Sequence, residues 1–257
     1  MFLAIAFTAV VCAQVDRPQL PPLGPGVRLL GAQAGRPGQV VKGAPFSADV
    51  TTEVMQTLSD GNKIRRVTSE RVYRDSEGRT RREASLSVLG STNTAAGAAQ
   101  VAFIEDPVAG SSYALDLPNR TVTTRPWRQP PPGNGPRADQ LPGQQRLAND
   151  PNAKTESLGR QTIAGVPADG TRVTVTIPAG QIGNSLAIQI VSERWYSPEL
   201  QMVVLQKRSD PRSGETVYQM SNVIRAEPPS TLFVPPADFQ TLSDRGPRGR
   251  FRPGPPQ

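Results

Sequence analysis

The chain has no histidine and a single cysteine, Cys12, among its 257 residues. Histidine is the base of the Ser-His relay, and histidine and cysteine are the usual ligands of zinc. A metal site would need oxygen ligands alone, and no loop has the Asp-x-Asp-x-Asp-Gly spacing that is typical of calcium loops. We therefore expect no metal and no cofactor.

Paired carboxylates are the one catalytic device that this composition leaves. Glu105 and Asp106 end a predicted strand, and Asp75, Glu77 and Asp210 fall in predicted turns, where acidic residues commonly cap the backbone. A hydrolase would need two such carboxyls roughly 5 to 10 Å apart in a cleft. We expect a protein that is not an enzyme, with a carboxylate-dependent hydrolase as the least favoured alternative.

The first residues, 1–13, form an uncharged apolar run that ends in small residues suited to signal peptidase. We predict a signal peptide cleaved before Gln14 and export to the periplasm or the extracellular space. The run is shorter than the roughly 20 residues of a bilayer-spanning helix, so the mature chain is predicted to have no transmembrane span. Two alternatives stay open, namely lipidation of Cys12 and a start codon upstream of Met1 that would supply the missing basic residues.

The net charge of +7 is concentrated outside the predicted strands. Segments 14–44, 126–155 and 240–257 carry +3, +2 and +3, and they hold 16 of the 27 prolines. A nucleic-acid-binding domain would instead cluster basic residues on a folded face. We expect no nucleic-acid partner, and only a loose attraction of the basic segments to an anionic envelope surface.

Composition divides the chain into tails and one folded part. Segments 14–44 and 240–257 are predicted to be disordered tails, because they are rich in Pro, Gly and Arg and lack any sustained period. Between them we predict a single β domain over 45–239, interrupted by the proline-rich linker 126–155.

Short alternating segments separated by turn residues predict strands throughout that domain. The predicted strands are 46–58, 63–74, 79–89, 101–105, 112–116, 121–125, 158–166, 171–177, 187–196, 201–208 and 215–226. The turns include Asp60-Gly61 and the stretch 167–170. Strands joined by turns this short are mostly antiparallel, which predicts an all-β fold with a curved sheet or an unclosed β-barrel built from meanders.

Three turn sequences carry a resemblance to a known superfamily. The turn Tyr-Arg-Asp-Ser-Glu-Gly-Arg at 73–79, the turn Asp-Pro-Val-Ala-Gly at 106–110 and the closing Leu-Phe-Val-Pro-Pro-Ala-Asp-Phe at 232–239 resemble those of the periplasmic lipoprotein carriers LolA and LolB and the stress sensor RseB. The resemblance covers about 46–239. It implies an unclosed antiparallel barrel whose concave face holds acyl chains under helical lids. No lid helix is predicted here, so 126–155 would have to serve as the cover. The chain is also similar to uncharacterised secreted bacterial proteins.

Candidate ligand-binding residues come from a repeated segment. Ser-Glu-Arg-x-Tyr occurs at 69–73 and again at 192–196, each time leading into a turn. Alternation places Trp195 on one face of its strand and Arg194 and Tyr196 on the other. Trp195 would line an apolar groove together with Phe103, Leu115, Ile190, Met202 and Val204; the alternative is that these side chains form an ordinary core.

The two arginines of the repeat suggest a second kind of site. Arg71 and Arg194 occupy equivalent positions of the repeat, two residues from Tyr73 and Tyr196, and would clamp an anionic head group by bidentate hydrogen bonds. The alternative is that each pairs with a carboxylate across a strand, such as Glu70, Glu83 or Glu193.

These observations predict an exported cell-envelope protein that binds an apolar or amphiphilic ligand, such as a lipid or lipoprotein, on the concave face of a β-sheet. The alternative is a scaffold or regulatory module that binds an envelope protein through an exposed strand edge.

Overall fold

A computed structural model describes residues 40–84, 101–127 and 151–242 of the chain. The predicted signal peptide and most of both predicted tails lie outside these ranges. Residues 85–89 of the predicted strand 79–89 and most of linker 126–155 also lie outside them. The described part forms twelve strands and one short 3₁₀ helix: β1 Phe46–Thr57, β2 Lys63–Arg74, β3 Thr80–Ala84, β4 Val101–Asp106, β5 Ser111–Asp116, β6 Thr121–Pro126, β7 Ala153–Ile163, β8 Val166–Ile177, β9 Ile188–Ser197, β10 Met202–Asp210, β11 Gly214–Ile224, η1 Ser230–Phe233 and β12 Gln240–Leu242.

All twelve strands belong to one sheet in the order β12-β6-β5-β4-β3-β2-β1-β11-β10-β9-β8-β7. Every neighbouring pair is antiparallel except β12 and β6, which run parallel. The sheet is open, with β12 and β7 at its edges. The predicted all-β fold with a curved, unclosed sheet is confirmed.

One turn lies elsewhere than predicted. The β7–β8 hairpin turns at Ala164 and Gly165, whose φ angles of 51° and 82° are those of a two-residue turn. The predicted turn at 167–170 is instead part of β8, with Pro167 opposite Thr162. The prediction was wrong because Pro-Ala-Asp-Gly is a stronger turn signal than Ala-Gly. In the observed turn Gly165 supplies a residue that tolerates positive φ.

The folded part extends slightly beyond its predicted limits. Before β1, Val41 is buried and the amide of Gly43 donates to the carbonyl of Ser76 at 3.0 Å, although 14–44 was predicted to be a tail. After η1, Gln240 begins β12 through a 2.9 Å hydrogen bond to the carbonyl of Arg120. β7 begins at Ala153, inside the predicted linker. These residues are ordered by backbone pairing that a side-chain pattern does not reveal.

The sheet curls strongly toward one side. β2 and β10 are separated by β1 and β11, which would place them about 14 Å apart in a flat sheet. Yet Arg74 at the end of β2 donates from Nη2 to the carbonyl of Leu200, just before β10, at 2.7 Å. We call the side toward which Arg74 points the inner face and the opposite side the outer face.

The larger part of the sheet, β1, β2 and β7–β11, is called here the large half, and it packs its inner face. Strand register places Phe46, Ala48 and Val50 on the inner face of β1, opposite Val72 of β2 and Met220 of β11. All five are buried in one apolar cluster that also includes Trp195, Leu200, Met202 and Val204. The inner face of β1, β2 and β11 is therefore core.

The remaining strands, β3–β6 and β12, form the small half, which packs its outer face. Ala102, Ile104 and Leu115 are buried there with Val122, and η1 places Phe233 against them. Phe233 is fully buried, and Arg81 holds η1 by donating to the carbonyl of Leu232 at 3.0 Å. The core therefore changes side between β2 and β3.

No helix within the described ranges is long and apolar enough to cross a membrane.

Candidate functional site

The change of core leaves the inner face of β3–β6 without a covering element among the described residues. In register across these strands, Arg82 lies opposite Phe103 and Phe103 lies opposite Ala114, which in turn faces Thr123. Phe103 is 38 % exposed, and Ala114 is exposed as well. Val101 lies on the same side of β4 and is half-buried. The result is a shallow surface, which we call the open face. Its apolar side chains, Phe103, Val101 and Ala114, lie among polar and charged ones, Glu105, Asp116 and Thr123.

An ion pair lies where the open face meets the packed inner face of the large half. The guanidinium carbon of Arg82 lies 5.3 Å from the centre of the Phe103 ring, a cation–π arrangement. Its Nε is 3.9 Å from Oε2 of Glu70 on β2. Burial raises the pKa of Glu70, and the charge of Arg82 only partly opposes that rise. The carboxylate is thus poorly stabilised, and Arg82 keeps 29 % of its side chain exposed.

Two hydroxyl groups lie buried beside this pair without a hydrogen-bond partner in the described part of the chain. They are Oγ1 of Thr52 and the phenol of Tyr218, which are directly opposite each other on β1 and β11. Burial, and then the charge of Glu70, raise the pKa of Tyr218 well above its ordinary value. A buried polar group without a partner lowers the stability of the fold. Each of these two hydroxyl groups is therefore able to form a further hydrogen bond.

Arg194 and Tyr196 lie on the inner face, as their predicted alternation requires. Arg194 is opposite Gln206, which is opposite Tyr218, and its guanidinium carbon lies 5.0 Å from the centre of the Tyr196 ring. Arg194 is 7 % exposed. Both belong to the packed part of this face, so they are not positioned as ligand contacts at an open surface.

Arg74 is a structurally important arginine that the sequence analysis did not single out. It is buried, stacks 4.8 Å from the centre of the Phe46 ring, and donates to the carbonyls of Ala44 and Leu200. Burial lowers its pKa to about 10, while the nearby Tyr196 acts in the opposite direction. It is still charged at neutral pH and fixes the curl of the sheet.

Trp195 belongs to the core. It is 6 % exposed and lies opposite Gly170 on β8, where an added Cβ would come within 2.6 Å of its ring. Because Arg194 and Trp195 are neighbours in sequence and both are buried, both sides of β9 are covered at this point. Of the two predicted alternatives for Trp195, the structure places it in the core.

The predicted clamp of Arg71 and Arg194 does not form. Register places Arg71 on the outer face, opposite Asp49, and its Nε donates to that carboxylate at 3.1 Å. Hydrogen bonds from Asn222, and then from Arg71, lower the pKa of Asp49 below its ordinary value. Tyr73, also on the outer face, packs against the core of the small half. The two copies of the repeat therefore present their arginines to opposite faces.

The residues predicted to line one groove are likewise divided between the two faces. Phe103 is on the inner face, whereas Leu115, opposite Ala102, is on the outer face. Ile190 is buried but belongs to neither apolar cluster. Only Phe103 of that set lies on the open face. The sequence analysis did not single out Arg82 or Glu70 for the site. The register of the β2–β3 hairpin nevertheless places Arg82 opposite Val72, on the same face as Glu70.

Three of the five acidic residues considered for catalysis stabilise turns. Asp75 accepts from the amides of Glu77 and Arg79, and Asp106 accepts from the amides of Val108 and Ala109. Asp210 is paired with Arg212 at 2.8 Å. Among the described residues no cluster of three or more acidic, histidine or cysteine side chains is arranged to hold a metal ion.

Two depressions lie away from the open face. One, of about 400 Å³, lies between the ends of β1 and β2 and the β10–β11 turn; the other, of about 280 Å³, lies between β9, β10 and β11. Neither includes Phe103 or Arg82, so a ligand on the open face would bind at a surface and not inside either depression.

Comparison with known proteins gives likenesses of structure only. No family model matches the sequence, and no curated protein matches it significantly. Among solved structures, the complex of MucA and MucB from Pseudomonas aeruginosa matches with a TM-score of 0.43 and 13 % identity, over 78 % of this chain and 59 % of that chain. The chain thus spans about three fifths of the MucB-type chains that it matches.

Two smaller proteins are similar over most of their length. An uncharacterised conserved protein from Thermus thermophilus matches with a TM-score of 0.40 and 10 % identity, over 78 % of this chain and 90 % of that one. A LolA-superfamily protein from Nitrosomonas europaea matches with a TM-score of 0.31 and 11 % identity, over 74 % and 90 %. The likeness to LolA and RseB proteins that the turn sequences predict thus recurs among the solved structures. Because each of these TM-scores is below 0.5, ligand and partner must be argued from the chain's own residues.

Proposed function

We propose that the protein is an exported, non-enzymatic envelope protein that binds the apolar part of an amphiphile on the open face. The observation that carries the proposal is the exposed Phe103, which lies on the side of β4 opposite the buried Ile104. A large exposed aromatic side chain on a surface that no other described element covers offers an apolar contact to a ligand.

The chemistry of the open face suits a ligand with both apolar and polar parts. Phe103, Val101 and Ala114 offer apolar contact, and Arg82 stands at their inner border with its charge only weakly paired to Glu70. A single acyl chain would lie along the apolar residues with an anionic head group near Arg82. Export rests on the predicted signal peptide in 1–13.

Binding of a dansyl-labelled fatty acid tests the proposal. The wild-type protein is expected to enhance the fluorescence of the probe, and Phe103→Asp is expected to weaken its binding at least about tenfold, because a carboxylate replaces the central apolar contact. Val108→Asp is the matched control, since Val108 is 60 % exposed on the neighbouring β4–β5 turn. Equal binding by Phe103→Asp and the wild type, or no binding by the wild type, would contradict the proposal.

A partner polypeptide is the second candidate, and the shallow, open form of the surface favours it. An extended segment of an envelope protein would cover Phe103 without needing an enclosed cavity. Pull-down from envelope extracts at high salt tests it, because salt removes attraction to the basic segments and leaves apolar contacts. A specific partner that the wild type retains and Phe103→Asp loses would favour this candidate over the fatty acid.

A further inference from the structure

One end of the large half carries three turns, β1–β2, β10–β11 and β8–β9, of which the first and the last expose large aliphatic side chains. Because β2, β1, β11, β10, β9 and β8 are antiparallel neighbours, the β1–β2 turn and the β8–β9 turn lie at the same end of the sheet. They are separated by the width of β11 and β10. We call this edge the hairpin end.

The β8–β9 turn, residues 178–187, presents two large aliphatic side chains to solvent. Ile182 is 56 % exposed and Leu186 is 77 % exposed. The turn is nevertheless well defined, because the side-chain amide of Asn184 donates to the carbonyls of Pro178 and Leu186 at 2.8 and 2.7 Å. Its carboxamide oxygen accepts from the amide of Ile182 at 3.1 Å. Ile182 and Leu186 are thus held outward by an internally bonded turn.

The part of the β8–β9 hairpin nearest its turn also carries no charged residue. No acidic or basic residue occurs between Arg172 and Glu193, in a chain that is 20 % charged. Depletion of charge together with exposed aliphatic residues distinguishes contact surfaces from ordinary solvated turns.

The tip projects beyond both of its neighbours in the sheet. The pairing of β10 with β9 ends at Ser209 and Val191, and that of β7 with β8 ends at Ala153 and Val175. Beyond these pairs the hairpin is flanked, within the described ranges, by the β10–β11 turn on one side and by Asn152, which accepts from the amide of Thr176 at 3.0 Å, on the other.

The β1–β2 turn at the same end adds apolar and basic side chains. Leu58 and Ile64 are 36 % and 37 % exposed. Arg65 pairs with Glu53 at 2.6 Å, whereas neither Lys63 nor Arg66 makes an ion pair within the described ranges. Asp60 also lies in this turn and accepts from the amide of Asn62 at 2.9 Å, so Lys63 and Arg66 give the turn an excess of one positive charge.

We propose that the hairpin end docks the protein on an anionic lipid surface, with the β8–β9 turn entering the interface and Lys63 and Arg66 contacting lipid phosphates. A narrow, projecting, charge-free tip suits the boundary between head groups and acyl chains, where apolar side chains are buried by roughly 5–10 Å. Cations near that surface strengthen the attraction to anionic lipids. The surface is separate from the open face and independent of the function proposed for it.

Vesicle flotation of the purified protein tests the apolar contact. On vesicles of phosphatidylglycerol mixed with phosphatidylcholine, Ile182→Ser with Leu186→Ser is expected to lower the partition coefficient about thirtyfold, because two aliphatic side chains no longer enter the interface. The matched control is Val108→Ser with Ile224→Ser, since these residues are 60 % and 59 % exposed at the opposite end of the sheet. That control should partition as the wild type does.

A second pair of variants tests the charge. Lys63→Gln with Arg66→Gln is expected to weaken binding to the mixed vesicles at least about tenfold at low salt, and to leave weak binding to phosphatidylcholine vesicles unchanged. Arg71→Gln with Arg225→Gln removes the same charge elsewhere and should have a smaller effect. The proposal is overturned if the wild type does not bind the mixed vesicles, if both aliphatic double variants lose binding equally, or if Ile182→Ser with Leu186→Ser binds as the wild type does.

Discussion

The two halves of the sheet bury opposite faces. In the large half, Phe46 and Val50 are buried on the inner face, and the outer-face residues between them, such as Asp49, are partly exposed. In the small half, Ile104 is buried on the outer face and its neighbour Phe103 is exposed on the inner face. A continuous hydrogen-bonded sheet thus changes its packed side without any break in strand pairing.

The buried side of the sheet changes at two adjacent residues of β2. Val72 points to the inner core, whereas the next residue, Tyr73, points to the outer face and packs on the core of the small half. Two adjacent residues of an alternating strand thereby serve two cores. The consequence is that no core of the described chain covers the inner face of the small half, and that face is where we place the ligand.

The largest expected effect concerns the core of the large half. Trp195→Ala should lower the free energy of unfolding by about 3–5 kcal/mol, because it leaves a large cavity beside Gly170. Urea unfolding measures the loss. Trp127→Ala is the control, since Trp127 is only partly buried at the end of β6, and it should lose clearly less. Equal losses would mean that Trp195 is not a core residue.

A smaller effect is expected where the curl brings β2 to the β9–β10 turn. Arg74→Met keeps an apolar stem on Phe46 but leaves the carbonyls of Ala44 and Leu200 without their donor, which should cost about 1–3 kcal/mol. Arg225→Met removes an exposed arginine paired with Glu199 and should cost less than about 1 kcal/mol. Thermal melting of both variants separates the two, and a smaller loss for Arg74→Met would argue against the curl.

The smallest effect concerns the border between the halves. Because burial raises the pKa of Glu70 above its ordinary 4.5, the folded state binds the proton more tightly than the unfolded state does. The free energy of unfolding should therefore fall as the pH rises from about 4.5 through the folded pKa. Glu70→Gln should remove that fall, as seen in urea unfolding across this pH range.

Glu53→Gln is the opposite control for this measurement. A hydrogen bond from Arg65 lowers the pKa of Glu53, so any stability that this pair contributes is present above pH 4.5 and is lost as the pH falls. A wild type that is as stable at neutral pH as at pH 4.5, with no change in Glu70→Gln, would contradict the burial of Glu70 at the border.

Much of the fold was predictable because its strands are short, alternating and separated by turn residues. The hairpin at Asp60-Gly61 and the long strands around Val72 and Arg194 follow from period and turn chemistry alone. β12 was not predictable, since its three exposed residues are ordered by backbone pairing with β6. The β7–β8 turn was misplaced because Ala164 adopts a positive φ that alanine seldom adopts.

The site was less predictable than the fold, because alternation gives the relative side of each residue and not which side is covered. It correctly separated Trp195 from Arg194. It made Arg71 equivalent to Arg194, although strand order places them on opposite faces. It also grouped Leu115 with Phe103 in one groove, because no local sequence feature marks the strand at which the buried side changes.

The most direct test of the change of side uses two adjacent residues of β4. Ile104→Ala should lower the free energy of unfolding by about 2–5 kcal/mol, because Ile104 is fully buried on the outer face. Phe103→Ala, which removes more carbon from the exposed inner face, should cost about 1 kcal/mol or less. Urea unfolding of the two variants decides: the larger loss for Ile104→Ala is predicted, and a larger loss for Phe103→Ala would contradict the change of core between the two halves.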